Sequence, residues 1–368
     1  MRTGFRRVGF AAFVTAGVML AFNVWSQDVP DNALNRKVSP TAIPFAVIGD
    51  SNSHSFQDRV AFPAGTGERG GPFHARTFNW TEVLDKLRGK EIDSGPWVVW
   101  GSSGLLATGR EALGLSGGRA PKKEDFLYNF ANSGASCANL IDGRFRQAPR
   151  LVAVMDKEPE RWKRGVVLIR MGLNDWSSSL DLQSREPDSP KLAELTSRCV
   201  KQIGATLKLI HESHPQTLIL VAGIANEADD AAQNNNWVSE AERNNIWKAL
   251  DSFNAGIRKL AESEPNTAFF DDAAWLVQRW GTRGGAPKPA FKTVTIGKSF
   301  VVTNSIGDDP HNLLLADDHA GLVGNALWAQ SLVARLREAF KLPLTPISDD
   351  EVARFVVPLV QPLVQPAK

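Results

Sequence analysis

Short apolar runs that alternate with long helix-period segments constrain this chain more than any other feature. The run 44–48 is bounded by a proline and by Gly49-Asp50, and similar runs occupy 127–131, 166–169, 218–222 and 268–270. Runs this short, with no polar face, suit strands buried on both sides of a sheet. Between the later runs, segment 191–211 places Leu192, Leu195, Val200, Ile203, Leu207 and Ile210 at helical spacing, and 239–262 does so with Ile246, Leu250, Phe253, Ile257 and Leu260. A final amphipathic stretch, from Leu322 to Phe340, begins just after His319. Strands alternating with helices predict an α/β fold with a central parallel sheet covered on both faces. Such a sheet binds ligands beyond the carboxyl ends of its strands. The residues that follow each run are therefore where chemistry is expected.

Four polar motifs stand there in fixed order. Gly49-Asp50-Ser51 follows the first run, Asn132-Ser133-Gly134 the second, and Gly172-Leu173-Asn174-Asp175 the third; Asp317-Asp318-His319 precedes the last helix. A serine hydroxyl is a poor nucleophile without a base, so Ser51 needs His319. Gly134 lets the backbone approach a developing oxyanion closely, and Asn174 offers a neutral amide donor. Asp317 would orient the imidazole. Each motif alone has a plainer reading: an Asp-Ser turn, a glycine that turns the chain, a loop-anchoring Asp175, a core Trp176. Together and in order they are much harder to assign to turns.

In this respect the chain resembles the SGNH (GDSL-type) hydrolases, whose name lists Ser, Gly, Asn and His in chain order. The resemblance runs from about 44 to 340, and FAVIGDSNS and VVLIRMGLNDW are its closest segments. It implies a three-layer α/β/α, flavodoxin-like fold and ester hydrolysis through Ser51, His319 and Asp317. Gly134, Asn174 and the Ser51 N–H would form the oxyanion hole, with no metal or organic cofactor. The last motif departs from the family: Ala316 stands three residues before His319, where the acid belongs, and Asp317 stands two before. Asp308-Asp309-Pro310-His311 has the literal D-x-x-H spacing. His319 is the preferred base because a helix follows it and can fix its ring, with Asp318 and Asp308 as alternatives to Asp317. His54 reads as a surface histidine within reach of substrate.

The rest of the chain sets the boundaries. Arg2, Arg6 and Arg7 precede an uncharged stretch at 8–22, so residues 1–26 are expected to be a signal peptide, cleaved near Ser26 or kept as an anchor. The catalytic body would then be periplasmic or secreted, with no membrane partner beyond that anchor. The hydrolase domain is expected at 44–341 and a C-terminal tail at 342–368, loosely packed, with one helical turn near 349–355. Two long loop insertions interrupt the pattern. One spans 51–134 and holds a capping box at Asn79–Glu82; the other spans 281–315 and suggests a hairpin turning at Gly297-Lys298. Cys137 and Cys199 either pair in an oxidising compartment or pack as small hydrophobes. A net charge of +2 with scattered basic residues excludes a nucleic-acid partner. The expected partner is a small-molecule or glycan ester substrate, and eleven tryptophans tilt it slightly toward saccharides. A polysaccharide O-acyltransferase would use the same residues with a sugar hydroxyl in place of water. A non-catalytic glycan-binding protein on the same fold is the reading from outside enzymology.

Overall fold

The structure is a computed structural model that describes residues 31–115, 117–283 and 290–361. The expected signal segment lies outside them. Five parallel strands form the central sheet: β1 (Ile43–Gly49), β2 (Ile92–Asp93), β3 (Val166–Arg170), β4 (Leu218–Ala222) and β5 (Thr267–Phe270). Their order is β2-β1-β3-β4-β5, the flavodoxin-like order. Phe45 to Gly49 of β1 pair with Val166 to Arg170 of β3, so both strands end at one level.

Side chains along these strands alternate between two cores. Ala46, Ile48, Val167, Ile169, Ile219 and Val221 face one side, against α2 (Gln147–Met155), α3 (Pro190–Ser213) and α4 (Glu240–Ser263). Phe45, Val47, Val166, Leu168 and Leu220 face the other, against α1 (Trp80–Arg88), α5 (Leu322–Phe340) and α6 (Asp349–Val360). Period-two alternation over residues that are all apolar is the signature of a sheet covered on both faces. Among the described residues no helix is long and apolar enough to cross a membrane.

Two expectations about elements need correction. Segment 127–131 is not a regular strand. It lies along the edge of β1 that β2 occupies lower down, with Val47 N–H donating to Tyr128 O (3.0 Å) and Phe130 N–H to Val47 O (2.7 Å). The Asn129 side chain binds Ser53 O and the Ala131 N–H, local bonds that compete with a ladder. β2 itself, two residues long, leaves no pattern to detect. The tail is not loose either: α6 is 12 residues long, and Val352, Val356, Leu344 and Ile347 are buried. Arg88 grips Glu351 with two bonds (2.6 and 2.9 Å) and binds the Thr345 and Pro346 carbonyls.

The insertions fold much as their sequences suggest. Asn79 and Glu82 form the capping box of α1. The Glu82 carboxylate also accepts the N–H groups of Phe56 and Gln57, tying α1 to the loop after β1. Thr293–Ile296 and Phe300–Ile306 form the hairpin, closed at Ile296 opposite Phe300, and Asn312–Leu314 adds a third, parallel strand.

Candidate active site

β1 delivers Ser51 through a turn that little else could make. A Cβ at Gly49 would lie 2.6 Å from Arg170 O, so only glycine allows β1 and β3 to finish this close. Both backbone groups of Gly49 bind the Gln147 side chain of α2. Buried Asp50 then accepts the Asn52 N–H (2.9 Å) and opens the one-turn helix Ser51–Ser53. Burial raises the Asp50 carboxyl above its ordinary range, against that hydrogen bond and the charges of Arg170 and His319. Asn52 O takes bonds from Trp80 Nε1 (2.9 Å) and Asn79 Nδ2 (3.1 Å), so α1 pins the turn from the far side.

β3 delivers Asn174 in the same way. Gly172 has φ 122°, and a Cβ there would press on the Phe253 ring at 2.9 Å. Asn174 lies in the short helix Leu173–Ser177, where its amide donates to Ala135 O at 2.8 Å, one residue beyond Gly134. One Asn174 N–H remains for another acceptor. Gly134 is left-handed (φ 73°) and exposed, with open space where a side chain would stand. The Asp175 carboxylate accepts the Cys137 N–H at 2.7 Å, as a loop anchor should. Cys137 and Cys199 are joined by a disulfide with Cα atoms 5.1 Å apart, fastening the Gly134 loop to α3. Trp176 is buried in the adjoining core.

His319 is half-buried just before α5. Its Nδ1 lies 2.8 Å from Asp317 O and 3.2 Å from Asp317 Oδ1. Burial alone would raise the Asp317 carboxyl, but bonding to His319 and the charges of His319 and Arg69 outweigh it and hold it well below the carboxylate range. The rival segment forms no such pair with the site. His311 is exposed, packs on Phe300 (4.4 Å between rings) and binds Asp309, while Asp308 accepts the Ala316 N–H.

One cleft adjoins three of the four motifs, while the Asn132-Ser133-Gly134 loop stands outside its lining. The lining includes Asp50 and Asn52, either side of Ser51, Leu173 beside Asn174, and Asp318 and Ala320, either side of His319. Arg170, Glu227, Asp230, Trp275 and Trp328 complete much of the wall.

Several residues of this site were not legible in the sequence. His54 is not on the surface: it is 2% exposed. Its Nε2 meets Asp58 Oδ2 at 2.8 Å and its Nδ1 meets Ser133 Oγ at 3.1 Å. Burial, then the nearby Lys123 charge, push it down to about 4, so the ring is neutral. With Nε2–H donating to Asp58, Nδ1 accepts the Ser133 hydroxyl. Lys123, fully buried, donates to Asp125 (2.7 Å) and to Ala131 O (2.6 Å), bracing the same loop from behind. Arg69 donates to Asp317 and, at 3.3 Å, to Ser133 Oγ. The only hint of Arg69 was its glycine-rich surroundings, Gly-Glu-Arg-Gly-Gly.

No curated protein sequence matches the chain. Solved structures similar to it include the lipase Lip_vut3 from a goat rumen metagenome, at 17% identity, covering 80% of this chain and 97% of that one, with TM-score 0.40. Another is a variant of Axe2, an acetylxylan esterase from Geobacillus stearothermophilus, at 16% identity, covering 82% and 96%, with TM-score 0.38. Residues 45–280 match the sequence pattern of the GDSL-like lipase/acylhydrolases. The chain therefore belongs to the GDSL-like lipase/acylhydrolase family and is a serine hydrolase of ester bonds.

Proposed function

We propose that Ser51, His319 and Asp317 form the triad of an exported esterase that removes short acyl groups, O-acetyl above all, from glycans. The observation that carries this reading is the shared cleft, lined by the residues flanking Ser51, Asn174 and His319. His319 presents Nδ1 to Asp317, which leaves Nε2 for the Ser51 proton. Ser51 Oγ attacks the ester carbonyl as His319 takes its proton, and the imidazolium is steadied by Asp317. The Ser51 and Gly134 N–H groups and the second Asn174 N–H meet the oxyanion. His319 then protonates the departing alcohol, and a water it deprotonates releases the acyl group.

The cleft wall supports a hydroxylated alcohol over a long acyl chain. Burial raises the carboxyls of Glu227 and Asp230, with neighbouring acids adding to the effect. A carboxyl group in either protonation state accepts from a sugar hydroxyl. The Cys137–Cys199 disulfide supports an oxidising compartment.

Hydrolysis of aryl acetates and acetylated oligosaccharides by wild type and three variants tests the reading. Ser51→Ala and His319→Ala should each lose nearly all activity while folding normally, and His311→Ala should keep it. Turnover by folded Ser51→Ala would overturn the assignment of the nucleophile. A dead His311→Ala beside an active His319→Ala would move the base to the other segment.

A further inference from the structure

Position 316, where the family places its acid, holds alanine, and Asp317 occupies the next position along. That shift has a visible cost. The Asp317 carboxylate stands 3.2 Å from His319 Nδ1, long for a charge-assisted bond of about 2.7–2.9 Å, and two groups lie closer to Nδ1: the Asp317 main-chain oxygen at 2.8 Å and Arg69 Nη1 at 2.9 Å. An acid so placed needs something else to hold its carboxylate toward the ring. The other carboxylate oxygen, Oδ2, is taken by Arg69 alone, through both its guanidinium and its backbone N–H (3.2 Å).

The chain goes to some trouble to put Arg69 there. Arg69, Gly70 and Gly71 are three consecutive residues with positive φ (54°, 95° and 47°), a conformation that is strained for the non-glycine member. A Cβ at Gly70 would lie 2.7 Å from Thr77 Oγ1, and one at Gly71 would collide with the Asp308 carboxylate. The loop is thus pressed against the segment that leads to Asp317. The guanidinium is buried, with only 5% of the side chain exposed, and stands over the rings of Phe62 (4.4 Å) and Phe56 (5.3 Å). Its remaining arm reaches Ser133 Oγ, which bonds His54, which bonds Asp58. One connected chain therefore runs from Asp58 to His319 through the residue next to Gly134.

We infer that Arg69 is a positioning residue for the ester hydrolysis: it fixes the displaced Asp317 against His319 and locks that pair to the Ser133-Gly134 loop. The inference rests on the triad proposed above. A purely structural ion pair would change stability and leave the turnover of the folded enzyme alone. A positioning role lowers kcat, slows attack by Ser51, and vanishes when Asp317 is already disabled.

The test compares wild type, Arg69→Met, Asp317→Asn and the double variant, with Ser51→Ala as blank. It uses 4-nitrophenyl acetate turnover and the rate of Ser51 labelling by a fluorophosphonate. Arg69→Met should lower kcat about 10–100-fold, the range that a small misplacement of an active-site group can cost. KM should stay within about twofold and labelling should slow by a similar factor. On the Asp317→Asn background the same change should cost less than about threefold, since coupled partners are non-additive. Wild-type kcat in folded Arg69→Met, or losses that simply multiply in the double variant, would overturn the inference. Should Arg69→Met not fold, Arg69→Lys carries the test. A lysine offers Asp317 a point charge and cannot hold Ser133 as well, so wild-type kcat there overturns the inference too. If wild type neither hydrolyses the ester nor labels at Ser51, the triad falls and this inference with it. If wild type does both and Arg69→Met matches it, only the inference falls.

Discussion

His54 shows how far a single residue's role can depend on neighbours that its sequence does not name. Its ring is enclosed between Asp58, Ser133 and Phe62 (5.0 Å between rings), and it takes a proton only at about pH 4. In the unfolded chain it takes one near 6.5. Between these values the unfolded state binds more protons, so stability contributed by the neutral ring is complete above pH 6.5 and is lost as pH falls toward 4. A depression of this size corresponds to about 3 kcal/mol. Urea unfolding at pH 7 and pH 4 should therefore show wild type losing about that much more stability than His54→Gln, whose amide does not titrate. Equal losses would mean that His54 protonates without cost. The residues that were legible from sequence, Ser51, Gly134, Asn174 and His319, share one property: each adjoins an element with its own pattern. His54 and Arg69 lie in the 51–134 insertion ahead of its patterned helix α1, in a stretch with no period, and only the fold brings them to Ser133 and Asp317.

At the scale of elements, β1, β3, β4 and β5 were legible because each is a compact apolar run between breakers, and α3 and α4 because their apolar positions recur for 24 residues each. The tail was misjudged for a physical reason. Its apolar residues Leu344, Ile347, Val352 and Val356 come at loop and helix spacings mixed with prolines, so no single period stands out. Its burial depends on a partner far away in sequence, Arg88, which binds Thr345, Pro346 and Glu351. Fully burying one valine, leucine or isoleucine is worth about 1.5–3 kcal/mol. Truncation after Phe340 should accordingly cost at least about 3 kcal/mol even after the entropy of ordering the tail is subtracted. An earlier urea midpoint at a similar slope would show it; an unchanged midpoint would restore the loose tail that the sequence suggested.

Across the whole molecule, the site depends on the Gly134 loop being held beside the Asn174 helix at one sheet edge, and the disulfide is the covalent part of that arrangement. Cys137 and Cys199 are 62 residues apart, and the segment between them contains α2, β3 and the Asn174 helix. If chain entropy dominates, closing a loop of that length destabilises the unfolded state by about 4 kcal/mol. Two non-covalent ties cross the same junction: the Asn174 amide to Ala135 O, and the Asp175 carboxylate to the Cys137 N–H. The Gly134 loop should therefore keep its place when the sulfurs part, while the chain as a whole becomes easier to unfold. The Cys137→Ser, Cys199→Ser double variant should lose up to about 4 kcal/mol, a fall in Tm of up to roughly 6 °C at about 2.1 cal/mol/K of unfolding entropy per residue. Its kcat, measured well below the new Tm, should stay within about tenfold of wild type, because both ties to the Asn174 helix survive. Calorimetry and ester turnover on the same preparation decide between the possibilities. An unchanged Tm would mean that the cross-link adds nothing to stability. A folded double variant with no turnover would mean that the disulfide, and not the Asn174 and Asp175 bonds, is what places Gly134.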